Sequence, residues 1–215
     1  MIDQPRIGPS RRVRYLGRAV NDVALHTPWA WRAIRGPVGR FFDAAASGWD
    51  ERVGADSDQH LAPMLAALGH VPASPQRALD VGTGTGSLAL LLAERYPQAE
   101  VLGIDIASRM IDGARQKATA QSSRARFQVA DVVDLRKPSA FNLIAMLNMP
   151  PFFERIAELL APGGYVLHAS TSGSRTPFYT SEQALRKGFE RRGVETVAAG
   201  SAGEGSYYVA RRATA

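Results

Sequence analysis

The sequence predicts an α/β protein in which helices cover both faces of a mainly parallel sheet and a helical extension precedes it. From Arg77 onward, short apolar runs alternate with helical segments, as in strands that are buried on both faces of a parallel sheet. The last two apolar runs are joined by a short stretch with glycine, which predicts a terminal antiparallel hairpin. The 215 residues, 45% of them hydrophobic, suffice for one compact domain with an appendage.

Residues 1–70 are predicted to form a basic helical extension, and residues 71–215 the core that contains the sheet. Apolar residues at helical spacing, with arginines between them, predict an amphipathic helix over about residues 11–25. Pro28 is typical of a helix start and Gly36-Pro37 of a helix stop, so a short second helix is expected between them. Third and fourth helices are expected over about residues 41–49 and 56–68.

The core elements are predicted from the apolar runs and the amphipathic segments between them. In chain order they are strand ALDVG, a helix over 87–96, strand VLGID, a helix over 108–118, strand RFQVA, strand FNLIAML, a helix over 152–160, strand YVLHAS, a helix over 181–192, and strands VETVAA and SYYVARR.

The composition excludes several classes of protein. The absence of cysteine excludes a disulfide framework. No apolar run approaches the roughly 20 residues that cross a bilayer, and the first residues contain no hydrophobic signal-peptide core, so a cytoplasmic protein is expected. The net charge of +6 arises within residues 1–40, which hold eight Arg and two Asp, and the rest of the chain is neutral.

The first strand leads into a glycine loop, LDVGTGTG, and then directly into a helix. Ligands of open α/β sheets bind at such strand ends, where glycine permits tight turns and close approach of the backbone. Amides at the start of the helix would face an anionic group, here a carboxylate. Ser87 stands where a dinucleotide fingerprint requires a third glycine, and the Gly-Lys-Ser/Thr ending of a phosphate loop is missing. These differences favour a nucleoside ligand without a pyrophosphate.

Acidic residues end the next two strands. Asp105 stands where a carboxylate can accept hydrogen bonds from both hydroxyls of a ribose. Taken alone, it could equally stabilise the N-terminus of the following helix, but the glycine loop favours the ribose role. Asp131 follows the third strand, where its carboxylate could accept a hydrogen bond from the amino group of adenine.

These motifs together resemble those of the class I S-adenosylmethionine-dependent methyltransferases: LDVGTGTG, GID about twenty residues later, ADV after the third strand and LAPGG before the fifth. The segment FFDAAASGWDERV is similar to the lead-in helix of small-molecule methyltransferases of the ubiquinone/menaquinone-biosynthesis type. The resemblance covers roughly residues 41–212. It implies a Rossmann-like doubly wound sheet in the order 3-2-1-4-5-7-6, with strand 7 antiparallel.

The resemblance also implies where S-adenosylmethionine would bind, with S-adenosylhomocysteine as the product. The methionine end would lie along the glycine loop, the ribose on Asp105, and the adenine against Ile106 with its edge on Asp131 and Val132. Asn148 would lie beside the sulfonium and the methyl acceptor. The implied cofactor-binding residues are Asp80, Gly82, Thr83, Gly84, Gly86, Asp105, Ile106, Met110, Asp131, Val132 and Asn148.

No catalytic residue is obligatory, because a sulfonium methyl is already activated and mainly requires alignment with its acceptor. His168 is the best candidate for a general base, since it closes the fifth strand at the ligand-facing edge and imidazole titrates near neutral pH. The alternative, a histidine that is packed or hydrogen-bonded at a strand end, is favoured over it. Asn148 is the other candidate for a catalytic contact. No cluster of ligating residues has metal-ligand spacing, so no metal site is predicted.

The predicted function is methyl transfer from S-adenosylmethionine to a small organic metabolite. The alternatives are an RNA methyltransferase that uses the arginine-rich extension, a catalytically silent cofactor-binding protein and a nicotinamide-dependent oxidoreductase. The arginines are read, in decreasing order, as a solvated helix face, a site for an anionic substrate or a peripheral membrane contact, and an RNA-binding patch. Nucleic acid is disfavoured as a partner because the rest of the chain is neutral, and a monomer or homodimer is expected.

Overall fold

The computed structural model describes residues 11–72 and 74–214, which contain a seven-stranded sheet. The strands are β1 (Arg77–Val81), β2 (Glu100–Asp105), β3 (Arg126–Val129), β4 (Phe141–Leu147), β5 (Leu160–Ser170), β6 (Val194–Ala202) and β7 (Gly205–Arg212). Their order across the sheet is β3-β2-β1-β4-β5-β7-β6. All neighbours pair in parallel except β7, which is antiparallel to β5 and β6. The predicted strand order and terminal hairpin are confirmed.

Helices pack on both faces of this sheet. The α-helices of the described residues are α1 (Arg11–His26), α2 (Pro28–Ala45), α3 (Trp49–Val53), α4 (Asp58–Leu68), α5 (Ser87–Arg95), α6 (Ser108–Ala120), α7 (Phe153–Leu159) and α8 (Glu182–Glu190). Within the part of the chain that the structure describes, no helix is both long and apolar enough to cross a membrane.

The prediction that Gly36-Pro37 ends a helix is wrong, because α2 continues through both residues. Pro37 lacks an amide N–H and is costly in a helix interior. Packing outweighs this cost, since Ile34 and Val38, on either side of the pair, both pack against one hydrophobic core of the protein. The helix predicted over residues 41–49 is divided: its first part belongs to α2, and its last residue opens α3 after Gly48, whose φ is 64°.

Strand β4 illustrates how the two faces of the sheet are buried. Leu143 and Ala145 belong to a core that includes residues of α4, α5 and α6. Ile144 and Met146, which alternate with them, belong to a second core with residues of α1, α2, α7 and α8. A parallel sheet requires this cover on both faces. The N-terminal helices supply part of each layer, so they contribute to the core as well as to the carboxyl edge of the sheet.

Helix α1 is held against the loop between β5 and α8. A Cβ on Gly17 would lie 2.4 Å from the Cβ of Pro177, so glycine permits the close approach. Asn21 is buried, and its side-chain amide donates hydrogen bonds to the carbonyl of Tyr179 at 3.1 Å and to the hydroxyl of Thr180 at 3.3 Å.

Candidate functional site

The predicted site residues gather at the carboxyl edge of the sheet, where β1 runs into the glycine loop. Gly82, Gly84 and Gly86 all have positive φ, of 70°, 54° and 89°, which explains why the loop needs glycine. The amides of Gly82 and Thr83 donate to the carbonyl of Ile104 at 2.8 and 2.9 Å, and these bonds fix the loop against β2. A Cβ on Gly84 would contact nothing within 4 Å, so this part of the loop backbone is open to a ligand.

Asp80, at the end of β1, lies beneath the loop and is fully buried. The hydroxyl of Thr83 donates to its carboxylate at 2.6 Å. Burial raises the pKa of Asp80 to about 7, and the nearby charge of Asp105 acts in the same direction, whereas the hydrogen bond from Thr83 lowers it. Asp80 therefore organises the loop and is a weak acid in the folded protein.

Asp105 is held by two backbone amides. One carboxylate oxygen accepts from the amide of Gly84 at 3.0 Å, and the other accepts from the amide of Ala107 at 2.9 Å. Burial raises the pKa of Asp105, and the backbone amides of Ala107, Gly84 and Ile106 partly offset that effect. Each carboxylate oxygen can accept two hydrogen bonds, so one lone pair on each remains for a diol such as ribose.

Asp131 is contacted by residues from the N-terminal extension. One carboxylate oxygen accepts from the indole Nε1 of Trp31 at 2.8 Å and from the guanidinium of Arg35 at 2.9 Å. The other oxygen accepts from the amide of Val133 at 3.0 Å. Arg35 also pairs with Asp134. We call Asp80, Asp105 and Asp131 the acidic end of the carboxyl edge.

Three further carboxylates of the extension bind residues around the glycine loop. Asp43 accepts from the amide of Arg109, at the start of α6, at 2.8 Å. Asp50 accepts from the hydroxyl of Thr85 and pairs with Lys117 at 2.8 Å. Asp56 also pairs with Lys117, at 3.0 Å. Hydrogen bonds and ion pairs from α2, α3 and the turn before α4 therefore hold the extension against the acidic end.

The segment after β4 connects the glycine loop with β5. Asn148 has a φ of 56°, and its side-chain carbonyl accepts from the amide of Thr171 at 2.9 Å. The side chain of Met149 lies over Gly82, because a Cβ on that glycine would lie 2.2 Å from the Met149 sulfur. The backbone carbonyl of Met149 lies 2.8 Å from Nε2 of His168.

His168 is buried, and the carbonyl that faces its Nε2 requires a proton on that nitrogen. Burial lowers the pKa of His168 to about 4, although the bond to Met149 acts in the opposite direction. The imidazole is therefore neutral at pH 7, with Nδ1 as its hydrogen-bond acceptor. This geometry fits a hydrogen-bonded strand-end histidine better than a general base that titrates near neutral pH.

A cavity of about 200 Å³ adjoins His168 between β5, β6, β7 and the start of α8. Hydroxyl groups dominate its lining, together with the imidazole of His168 and one carboxylate, that of Glu182. We call this cavity the hydroxyl end of the carboxyl edge. Its lining includes His168, Thr180, Glu182, Ser201, Ser206 and Tyr207.

Most of the predicted site residues lie at the carboxyl edge of the sheet, and some of them are buried in the protein interior. The glycine loop, Asp105 and Ile106 are adjacent, while Met110 and Val132 are buried. Sequence reasoning did not assign Arg35 or Met149 to the site, and it considered Trp31 only as part of an aromatic pocket wall or as ordinary packing of the extension, not as a partner of Asp131. In the described ranges, residues 11–72 and 74–214, no group of three or more ligating side chains could hold a metal ion.

Residues 78–164 match the methyltransferase domain family. The demethylmenaquinone methyltransferase of Deinococcus radiodurans is 39% identical over 120 residues, which are 52% of this chain and 48% of that protein. The tRNA1(Val) (adenine(37)-N6)-methyltransferase of Porphyromonas gingivalis is 40% identical over 131 residues, 56% of this chain and 48% of that protein. The chain spans about half the length of the curated relatives it matches.

The fold is also found in solved structures. A SAM-dependent methyltransferase from Aquifex aeolicus superposes with a TM-score of 0.62 at 18% identity, over 73% of this chain and 94% of that chain. The superposition shows that the two chains share a fold.

Proposed function

We propose that this chain, whose residues 78–164 match the methyltransferase domain family, transfers the methyl group of S-adenosylmethionine to a small organic acceptor. The arrangement of Asp105 carries the proposal. Its two oxygens are oriented by the amides of Gly84 and Ala107, which leaves one lone pair on each for a ribose hydroxyl. The backbone at Gly84 is open beside it, so a ligand held at Asp105 can continue along the glycine loop.

The remaining cofactor contacts follow from this placement. The methionine end lies along Gly82 and Gly84, above the buried Asp80, and the adenine lies toward Ile106 and the third strand end at Asp131. The ammonium group of the methionine end would favour the ionised form of the buried Asp80, since a nearby positive charge lowers the pKa of a carboxyl.

The chemistry requires little of the protein beyond alignment and exclusion of water. The cofactor, when bound, supplies an activated methyl group on a sulfonium. In-line positioning of an acceptor against such a group contributes roughly 7 to 11 kcal/mol to lowering the barrier. Asn148 and Met149, which lie between the glycine loop and His168, are placed to align the two reactants.

The acceptor enters, in this proposal, from the hydroxyl end. Of the described residues that line this cavity, Glu182 alone carries a charge at neutral pH, because His168 is held in its neutral form. The adjacent cation, Arg186, already pairs with Glu182 and Glu190, so a carboxylate on the acceptor would lose hydration there without gaining a free cationic partner. We therefore propose an acceptor that carries hydroxyl or amine groups and no carboxylate, and that is small enough for a cavity of about 200 Å³.

RNA methylation is a second candidate, favoured by the Porphyromonas gingivalis relative, whose name states that it acts on a tRNA. Two arginines of α2 disfavour it, because their charges are already paired within the protein: Arg35 binds Asp131 and Asp134, and Arg32 lies 3.4 Å from Asp134. Fluorescence anisotropy with a labelled tRNA separates the two candidates. Micromolar binding that weakens steeply with salt supports the RNA candidate, and its absence supports a small acceptor.

Calorimetric titration with S-adenosylmethionine, S-adenosylhomocysteine and NAD tests the proposed function. We expect both adenosyl ligands to bind and NAD to give no heat. Asp105→Ala should weaken binding of S-adenosylhomocysteine by about 2 to 4 kcal/mol, because it removes a charged acceptor of two hydrogen bonds. Asp112→Ala is the matched control, since Asp112 is exposed and pairs only with Arg115 among the described ion pairs. Binding of NAD alone, or unchanged affinity in Asp105→Ala, would contradict the proposal.

A further inference from the structure

Helix α2 makes two hydrogen bonds to the carboxylate that the proposed function assigns to adenine. The indole Nε1 of Trp31 and the guanidinium of Arg35 both donate to the same oxygen of Asp131, at 2.8 and 2.9 Å. The second oxygen accepts from the amide of Val133. Three donors therefore already bond to a carboxylate whose side chain is only 8% exposed. One lone pair remains on its second oxygen. Because Trp31 and Arg35 of α2 cover the carboxylate, an adenine amino group can reach Asp131 only if α2 moves aside.

The indole that makes one of these bonds is itself buried. Trp31 is 3% exposed and packs edge-on against Phe152, with ring centroids 5.2 Å apart. An indole and an adenine share a flat bicyclic ring and an N–H donor at its edge. Trp31 thus presents to Asp131 the same chemistry as the adenine edge would.

The same helix also covers the other residue assigned to adenine. A Cβ on Gly39 would lie 3.4 Å from the carbonyl of Ile106 and 3.7 Å from its side chain, so the α2 backbone lies directly against Ile106. One turn later, Asp43 accepts from the amide of Arg109. Helix α2 therefore runs along the whole edge from Asp131 to the start of α6.

We propose that α2 is a built-in competitor of the adenine end of the cofactor, with Trp31 and Arg35 occupying Asp131 until the cofactor displaces them. The inference rests on the proposed function, since it requires that the cofactor bind at Asp105 and Asp131. Binding then couples to movement of α2, and the strength of the two bonds to Asp131 sets the apparent affinity. Helix α2, which covers Asp131 and Ile106, must therefore move away from them before the adenine can bind.

The affinity of S-adenosylhomocysteine for three variants tests the competition. Trp31→Phe keeps a ring against Phe152 and removes the indole N–H. Arg35→Ala removes the second donor, and Arg32→Ala on the same helix is the control, because the Arg32 side chain is exposed and contacts Asp134 instead. We expect Trp31→Phe and Arg35→Ala each to bind about three- to tenfold more tightly than the wild type, since each removes one bond between α2 and Asp131, and Arg35→Ala also removes the pair with Asp134. Arg32→Ala should match the wild type.

Hydrogen exchange of the wild-type protein provides a readout that needs no substitution. We expect S-adenosylhomocysteine to increase exchange of amides in residues 29–41 and to decrease exchange in residues 82–86. Thermal melts of the variants verify that each is folded before its affinity is compared.

The outcomes are distinguishable. Weaker or equal binding by Trp31→Phe and Arg35→Ala, or α2 amides that become more protected with ligand, would overturn the competition while leaving the proposed function intact. A failure of the wild type and of every folded variant to bind S-adenosylhomocysteine would overturn the proposed function and the competition with it.

Discussion

The two ends of the carboxyl edge bury polar groups in different ways. At the acidic end, three carboxylates lie under the glycine loop or under α2, and most of their hydrogen-bond donors come from backbone amides and the N-terminal helices. At the hydroxyl end, a neutral imidazole and several hydroxyl groups surround a cavity. Buried charge requires many donors, whereas neutral polar groups tolerate an incompletely filled space. Helices α2 and α3 are therefore bonded to the acidic end, whereas the hydroxyl end, which α1 contacts through Asn21, keeps room for a ligand.

The largest difference between the ends should be seen in the pH dependence of stability. Asp80 has its pKa raised from 3.8 to about 7, so its contribution to stability is present below pH 4 and is lost as pH rises through 7. His168 has its pKa lowered from 6.5 to about 4, so its contribution is present above pH 6.5 and is lost as pH falls through 4. The two contributions oppose each other across the same range.

Single substitutions separate these contributions. Relative to the wild type, Asp80→Asn should gain stability by about 3 kcal/mol as pH rises from 4 to 7, because the ionisation of Asp80 no longer opposes folding. His168→Gln should lose about 3 kcal/mol relative to the wild type over the same rise. Urea denaturation at four pH values measures both differences. If the stability of a variant changed with pH in parallel with that of the wild type, the substituted group would have the same pKa in the folded and unfolded states, which would contradict the prediction for that group.

The contact between the two ends can be tested at the glycine loop. Gly82→Ala adds a methyl group 2.2 Å from the sulfur of Met149, in a residue with a φ of 70°. We expect a loss of about 2 to 3 kcal/mol, of which roughly 1 kcal/mol is backbone strain and the rest is overpacking. Gly84→Ala is the matched control, since its φ is 54° and its added methyl contacts nothing within 4 Å. It should lose only the strain.

A double variant identifies the cause of the difference. Met149→Ala in the Gly82→Ala background should recover part of the loss by removing the overpacked side chain. Equal losses in the two glycine variants, measured by chemical denaturation, would show that Met149 moves away without cost.

The acidic end was largely predictable from the sequence because its main features are local. The glycine loop, Asp80 and Asp105 lie within 26 residues of one another, and strand–loop–helix geometry determines where each points. The sheet order followed from the family resemblance, and the hairpin from the short glycine stretch. The prediction failed at Gly36-Pro37, where local helix-breaking residues were outweighed by packing of α2 on the core.

The contacts that sequence reasoning missed join distant parts of the chain. Trp31 and Asp131 are 100 residues apart, and an arginine or tryptophan on an amphipathic helix carries no sign of its partner. His168 was correctly placed at the end of a strand, but the bond between its Nε2 and the carbonyl of Met149 depends on how the segment after β4 folds back. Such pairings are set by tertiary structure, so a single sequence does not reveal them.

The smallest expected difference concerns the ion pairs at the two ends. Lys117 pairs with Asp50 and Asp56 at the acidic end, and its side chain is 17% exposed. Arg186 pairs with Glu182 and Glu190 on α8, next to the hydroxyl end, and its side chain is 46% exposed. Lys117→Met keeps much of the apolar stem and removes the charge, and it should cost about 1 kcal/mol.

Arg186→Met should cost less, because its two pairs lie along one exposed helix and are screened by solvent. Adding about 1 M NaCl, where the Debye length is about 3 Å, should remove the effect of Arg186→Met and retain most of that of Lys117→Met. Chemical denaturation at low and high salt measures both. If salt removed the two effects equally, the pairs of Lys117 would be as solvated as those of α8, and the extension would have to be held over the acidic end by its apolar contacts and the bonds of α2 alone.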